Sequence, residues 1–168
     1  MKKTKVFIDI FYYKTALSGL KTYIDELLYA VKEHGSDEIE YVISHDISKM
    51  ANKQFFINSK FRLVRWVFQF RYLFWKQLTL PFLLCKKKID YVICPDYVAP
   101  LFCKSKKIVV IHDNLFWKYP QNYPKIWRKY FTWLIKAGID KRTEIVTTSN
   151  YSKDGLSIIF KNVKIKSI

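Results

Sequence analysis

Residues 106–113 read KKIVVIHD and carry the clearest strand signal in this chain of 168 residues. The four residues 108–111 are all apolar and β-branched. A strand that is apolar throughout is typical of the middle of a parallel sheet, where both faces are covered. His112 and Asp113 follow directly, so they are predicted to lie at the carboxyl end of a central strand.

Weaker strand signals flank this segment and alternate with helical ones. Further strands are predicted at residues 4–11, 39–44, 89–96, 144–149 and 163–168. Helices are predicted after Ser18, which is a suitable N-cap, and at residues 61–79, 125–141 and 150–160. This alternation predicts an α/β fold: one Rossmann-like, doubly wound parallel sheet with right-handed crossovers, forming a single domain over residues 1–168.

Several classes of protein are excluded by composition and spacing. The first eleven residues contain Asp9 and no small-residue cleavage site, which indicates a strand rather than a signal peptide. The apolar-rich residues 63–84 contain three basic side chains, too many for a membrane span. The three cysteines form no CxxC pair, so neither a disulfide framework nor a metal site is predicted, and the expected location is the cytoplasm.

Positive charge is concentrated in residues 47–89. The whole chain has a formal net charge of +16, and this stretch holds ten Lys and Arg residues and no acid. Arg62, Arg65 and Lys76 share one stripe of the predicted helix 61–79, which Pro81 is expected to bend or end. The opposite, sheet-facing stripe is predicted to hold Val64, Val67, Phe68, Phe74, Trp75 and Leu78.

The positive charge of residues 47–89 attracts anionic surfaces. Arg62, Arg65 and Lys76, with the nearby Trp66 and Phe70, are therefore predicted to hold the protein on the inner face of the cytoplasmic membrane as a peripheral protein. The alternative is a solvated basic helix that covers the sheet with its aromatic face. Nucleic acid is not an expected partner, because the chain contains no recognised nucleic-acid-binding module.

Ligands of parallel sheets bind at the carboxyl ends of the strands, which directs attention to Gly19 and His112. Gly19 is the only glycine of its strand–turn–helix, so no dinucleotide fingerprint is present, but its amide can approach a phosphate at the helix N-terminus. His112 can donate a hydrogen bond to a substrate hydroxyl or a leaving-group oxygen. The alternatives are a glycine that merely permits a tight turn and a histidine that satisfies a local carbonyl group.

Five motifs occur in an order that covers nearly the whole chain. They are VFIDIF (6–11), SGLKTYIDELL (18–28), IDYVICPDYVAP (89–100), IVVIHDNLFWKYPQNYP (108–124) and IVTTSNYSKDGL (145–156). This combination resembles the N-terminal domain of glycosyltransferase family 4, a retaining family with the GT-B architecture. The resemblance implies two Rossmann-like domains, of which the first binds the acceptor and the second a nucleotide-sugar donor.

The resemblance also implies roles for single residues. Ser18 and Gly19 would lie near the donor diphosphate, where many members carry two adjacent glycines. His112 would contact the transferring sugar, with Asp113 beside it as a second catalytic residue. The acceptor side would include Asp96, Tyr97, Tyr119 and Ser149.

The complete enzyme is then expected to transfer a hexose from a nucleoside-diphosphate sugar to a glycan or lipid-linked acceptor, with retention, in cell-surface polysaccharide synthesis. No cofactor or metal ion is expected. The family's donor-binding glutamates belong to a second domain that these 168 residues do not contain, so the chain by itself is expected to be inactive. The alternative is a non-catalytic remnant of such an enzyme that binds a membrane surface or a partner.

Overall fold

The computed structural model describes residues 3–13, 16, 18–49 and 62–168. Six strands form one sheet in the order β2-β1-β3-β4-β5-β6, and every neighbouring pair is parallel. The strands are β1 (Thr4–Ile8), β2 (Ile39–Ile43), β3 (Tyr91–Cys94), β4 (Lys106–Val110), β5 (Thr143–Thr147) and β6 (Lys164–Ser167). The predicted α/β, Rossmann-like, doubly wound sheet is thereby confirmed.

Helices connect most of the strands. They are α1 (Ser18–His34), α2 (Arg62–Phe74), α3 (Leu80–Lys86), α4 (Leu115–Lys118), α5 (Lys125–Gly138) and α6 (Asn150–Ile159). A π-helical turn, Trp75–Thr79, joins α2 directly to α3, so these segments make one continuous helix that we call the α2–α3 helix. Short 3-10 helices occupy Ile47–Lys49 and Pro120–Asn122.

The sheet has helices on both faces. Ile8 of β1 belongs to a core cluster with Ile24 of α1. Its neighbour Phe7, which points to the opposite face, belongs to the cluster that contains the buried residues of the α2–α3 helix, α5 and α6. Thus α1 covers one face, and the other helices form a layer on the opposite face.

The α2–α3 helix corrects two predictions. Pro81 does not end it, because this proline lies in the first turn after the π-helical segment and the helix continues to Lys86. Its buried side chains recur every four residues, and they are Phe68, Tyr72, Lys76, Leu80 and Leu84. The side chains midway between them are exposed, and they are Trp66, Phe70, Phe74, Leu78 and Phe82.

Lys76 was therefore wrongly predicted to lie on a membrane surface, and Val67, Phe74 and Leu78 were wrongly predicted to face the sheet. A four-residue spacing drifts around a regular α-helix of 3.6 residues per turn, which is why the sequence pattern indicated another inner face. The wider π-helical turn offsets this drift and keeps the four-residue stripe against the sheet. The side chains of Arg62 and Arg65 lie outside the described residues.

None of the described helices is long and apolar enough to cross a bilayer.

Candidate functional site

The residues that follow β1, β3, β4 and β5 lie along one edge of the sheet, which we call the carboxyl rim. They are Asp9 after β1, residues 95–97 after β3, His112 and Asp113 after β4, and Thr148 and Ser149 after β5. The chain leaves β1 for β2 on one side and later returns to β3 on its other side. Open α/β sheets bind ligands in the crevice beside such a reversal, so the β1 and β3 end of the rim is the expected place for a ligand.

His112 lies on the rim and is half-buried. Its Nε2 is 3.2 Å from the carbonyl oxygen of Pro95. Because a carbonyl oxygen only accepts, Nε2 carries the proton in this contact. Burial lowers the pKa of His112 below its ordinary 6.5, although the Pro95 carbonyl and Asp113 act in the opposite direction. His112 is therefore neutral near pH 7, with a lone pair on Nδ1.

This geometry matches the alternative of a histidine that satisfies a local carbonyl group, and it corrects the predicted role of His112 as a hydrogen-bond donor to a ligand. The single N–H of the neutral ring is directed at Pro95, and Nδ1 has no hydrogen-bond partner within the part of the chain that the structure describes. The nitrogen that remains is an acceptor. The ring suits a ligand hydroxyl that donates a hydrogen bond.

The N-terminal part of α1 packs beside His112. Tyr23 meets the His112 ring edge-to-face, with the ring centroids 5.1 Å apart. Gly19 lies one helical turn before Tyr23, and a Cβ added to it would have no other heavy atom of the described chain within 4 Å. Neither close packing nor a positive φ explains this glycine. Ser18 begins α1, but its side chain lies outside the described residues.

The end of β5 is joined to His112 through its backbone. The hydroxyl groups of Thr147 and Thr148 donate to the carbonyl oxygen of His112 at 3.4 and 3.2 Å. Ser149 follows and caps α6, because its Oγ accepts a hydrogen bond from the Ser152 amide at 3.2 Å. The Ser149 oxygen therefore already has a role as the N-cap of α6. Its contact with an acceptor stays a prediction.

Asp113 holds the loop after β4 in place. One carboxylate oxygen accepts from the Leu115 amide at 3.1 Å, and the other accepts from the Tyr97 hydroxyl at 3.3 Å. Tyr97 has a left-handed backbone with a φ of 68°, and its ring lies 5.7 Å from the His112 ring. Burial, and then the Asp113 charge, raise the pKa of Tyr97. Both residues therefore shape the surroundings of His112, while the catalytic role of Asp113 stays a prediction.

Asp96 does not line an open acceptor site as the sequence predicted. It is 6% exposed, and its two oxygens accept from Lys76 Nζ at 2.6 Å and from the Tyr72 hydroxyl at 3.0 Å. Asp9 completes this cluster, with one oxygen 2.7 Å from Lys76 Nζ and the other accepting from the Trp75 indole at 3.0 Å. The α2–α3 helix packs over this cluster at the ends of β1 and β3. Both oxygens of Asp96 therefore already have partners inside the protein.

Tyr119 is 40% exposed and lies beside the first turn of α6. The Lys118 ammonium group is 5.5 Å from the centre of the Tyr119 ring and 4.4 Å from that of Tyr151, so it lies close to both rings. Sequence reasoning missed Lys118 and Tyr151, because nothing in their local pattern places them together. It also missed Tyr23, whose only signal was its position one turn after Gly19.

Among the described residues, no group of three or more His, Cys, Asp and Glu side chains is arranged to hold a metal ion. The chain matches no protein-family model, no curated protein and no solved structure. The resemblance to glycosyltransferase family 4 therefore stays a prediction.

Proposed function

We propose that this chain is the acceptor-side domain of a retaining glycosyltransferase that transfers a hexose from a nucleoside-diphosphate sugar to a glycan or lipid-linked acceptor. One observation carries the proposal. A neutral, half-buried His112, whose Nδ1 has no partner among the described residues, lies on the carboxyl rim in contact with the helix that begins beside Gly19. The resemblance of the five sequence motifs supports the same function.

Each part of this arrangement has a task in sugar transfer. The Nδ1 lone pair accepts a hydrogen bond from a sugar hydroxyl and so orients the ring that is transferred. The first amides of α1, beside the open space at Gly19, stabilise the negative charge of the departing diphosphate. Tyr23 keeps these two groups at a constant separation, because it lies on α1 and packs on His112.

The test is a turnover screen with nucleoside-diphosphate sugars and glycan or lipid-linked acceptors, on protein expressed from its whole reading frame. His112→Ala is expected to lower kcat by about 100-fold or more while the protein stays folded under the assay conditions, as urea denaturation checks, because it removes a group that orients the reacting sugar. His112→Asn is expected to retain more activity than His112→Ala, since the amide oxygen of Asn can occupy the position of Nδ1. His34→Ala, at the exposed end of α1, is the matched control.

Two results would contradict the proposal. If no donor releases a nucleoside diphosphate, the chain is not part of a transferase and the non-catalytic alternative is favoured. If turnover is found but His112→Ala leaves it unchanged, His112 has no part in the reaction.

A further inference from the structure

The α2–α3 helix has an apolar stripe on its outer side as well as on its inner side. The exposed fractions of Trp66, Phe70, Phe74, Leu78 and Phe82 lie between 59% and 67%. The inner stripe accounts for the packing of the helix on the sheet, whereas the outer stripe packs on nothing that would bury it within the described chain. A helix that is apolar on two opposite sides is suited to contact a second apolar medium.

Helix α5 presents a second surface of the same kind. Ile126 is 86% exposed and Trp133 is 59% exposed, and Tyr130 lies between them on the same side. Lys129 and Lys136 are exposed beside these residues. The opposite side of α5 is buried in the core through Leu134 and Ile135.

The two surfaces belong to one layer of helices. The Gln77 side chain accepts from the Leu101 amide at 2.9 Å and donates to the carbonyl oxygen of Ala99 at 3.5 Å. Gly138, the last residue of α5, packs closely against Ala99. Phe102, in the loop between these helices, is 84% exposed. The apolar side chains of both helices and of this loop therefore lie on the same side of the molecule.

The charges on the α2–α3 helix and on α5 have one sign. Neither the α2–α3 helix nor α5 contains an acidic residue. The exposed cations on these helices and on the turn that follows α3 are Arg71, Lys86, Lys87, Lys88, Lys125, Lys129 and Lys136. Aromatic and aliphatic side chains surrounded by Lys and Arg are the composition of surfaces that lie in the headgroup region of anionic bilayers.

We propose that the outer surface formed by the α2–α3 helix and α5 docks on an anionic phospholipid bilayer. A second copy of the chain fits less well, because it would bring two cationic surfaces together. A nucleic acid would satisfy the lysines but would leave the Phe, Leu and Ile side chains without an apolar partner. The proposal is independent of the proposed function, because lipid binding is measured without donor or acceptor.

The test is co-sedimentation with vesicles of phosphatidylcholine, with and without phosphatidylglycerol. Binding is expected only to the anionic vesicles, and it is expected to weaken at high salt because part of the attraction is electrostatic. Lys125→Glu/Lys129→Glu/Lys136→Glu is expected to lower the partition coefficient by about 100-fold. Phe70→Ser/Phe74→Ser/Phe82→Ser is expected to lower it by about tenfold or more.

The matched control is Tyr29→Ser/Ile43→Ser, which removes two exposed apolar side chains from α1 and β2, away from this surface. It is expected to bind like the unaltered protein. Hydrogen exchange with vesicles present is expected to slow in residues 66–86 and 125–138 and to remain unchanged in α1. This second measurement locates the contact in the unaltered chain, so it does not depend on whether a variant folds.

Three results would overturn the proposal. The first is equal or absent binding to the two kinds of vesicle at low salt. The second is a stable dimer in sedimentation without lipid that the Phe→Ser variant dissociates. The third is binding to a DNA or RNA duplex that competes with vesicles and does not need the three phenylalanines.

Discussion

Lys76 is an ammonium group that is fully enclosed by protein, between Asp9 and Asp96. Burial by itself would lower the pKa of Lys76, but the two carboxylates outweigh it and raise the pKa above its ordinary value. The buried cluster holds one cation and two carboxylates. Burial raises the pKa of Asp96, and Lys76 offsets only part of this effect. Lys76 is therefore the charge that allows two acids to remain under the α2–α3 helix.

Lys76→Met is expected to lower the free energy of unfolding by about 3–5 kcal/mol, because two buried carboxylates lose their only cation within the described cluster. Urea denaturation measures the change, and Lys161→Met, at an exposed position, is the control. A variant that also carries Asp9→Asn and Asp96→Asn is expected to recover part of the loss. Equal stability of Lys76→Met and the unaltered protein would show that the cluster is not paired as described.

The lowered pKa of His112 predicts how stability depends on pH. The folded chain favours the neutral ring, so the unfolded chain takes up the proton more readily as the pH falls below 6.5. Stability is expected to decrease as the pH falls below 6.5, and His112→Asn is expected to reduce this decrease. Direct titration of the ring by NMR is expected to have a midpoint below 6.5. A midpoint at or above that value would remove the basis for a neutral His112.

At the scale of whole elements, helix α5 is held by its carboxyl end. The buried Lys107 of β4 donates to the carbonyl oxygen of Gly138 at 2.6 Å and pairs with Asp140 at 3.0 Å. An ammonium group at this position also suits the negative end of the helix dipole. A Cβ on Gly138 would approach the backbone oxygen of Ala99 to 2.8 Å, so the helix can lie this close only because residue 138 is glycine.

Gly138→Ala is therefore expected to destabilise the protein by about 1–3 kcal/mol, because backbone atoms have to move to make room. Gly19→Ala is the matched comparison, since its Cβ would meet open space. It is expected to change stability by no more than about 1 kcal/mol, in favour of Ala. Thermal unfolding of the two variants side by side measures the difference, and equal losses would contradict the close contact with Ala99.

At the scale of the whole molecule, the carboxyl rim and the outer surface formed by the α2–α3 helix and α5 lie on different sides of the protein. The rim is an edge of the sheet, whereas the α2–α3 helix and α5 cover one of its faces. A bilayer that contacts the helices on this face leaves the rim uncovered at the edge of the sheet. The proposed lipid contact and the proposed transfer site are therefore compatible.

Much of the fold was predictable from local patterns. The apolar run at 108–111 and the strand–helix alternation predicted the parallel sheet, and the positions of Gly19, His112 and Ser149 after strands followed from it. The burial and pairing of Lys76 and Asp96 were not predictable. They depend on a π-helical turn and on a contact between residues that are 20 positions apart in the chain.

The sequence by itself determined the succession of strands and helices along the chain and the residues that follow each strand. The periodic patterns of side-chain polarity that predict these features are local properties of the chain. Only the tertiary structure decided which atoms remain available. It directs one nitrogen of His112 at Pro95 and leaves the other without a partner in the described part of the chain. It also buries Lys76 while exposing Phe74 and Leu78 of the same helix. Those outcomes depend on how the helices cross the sheet, which no short stretch of residues specifies.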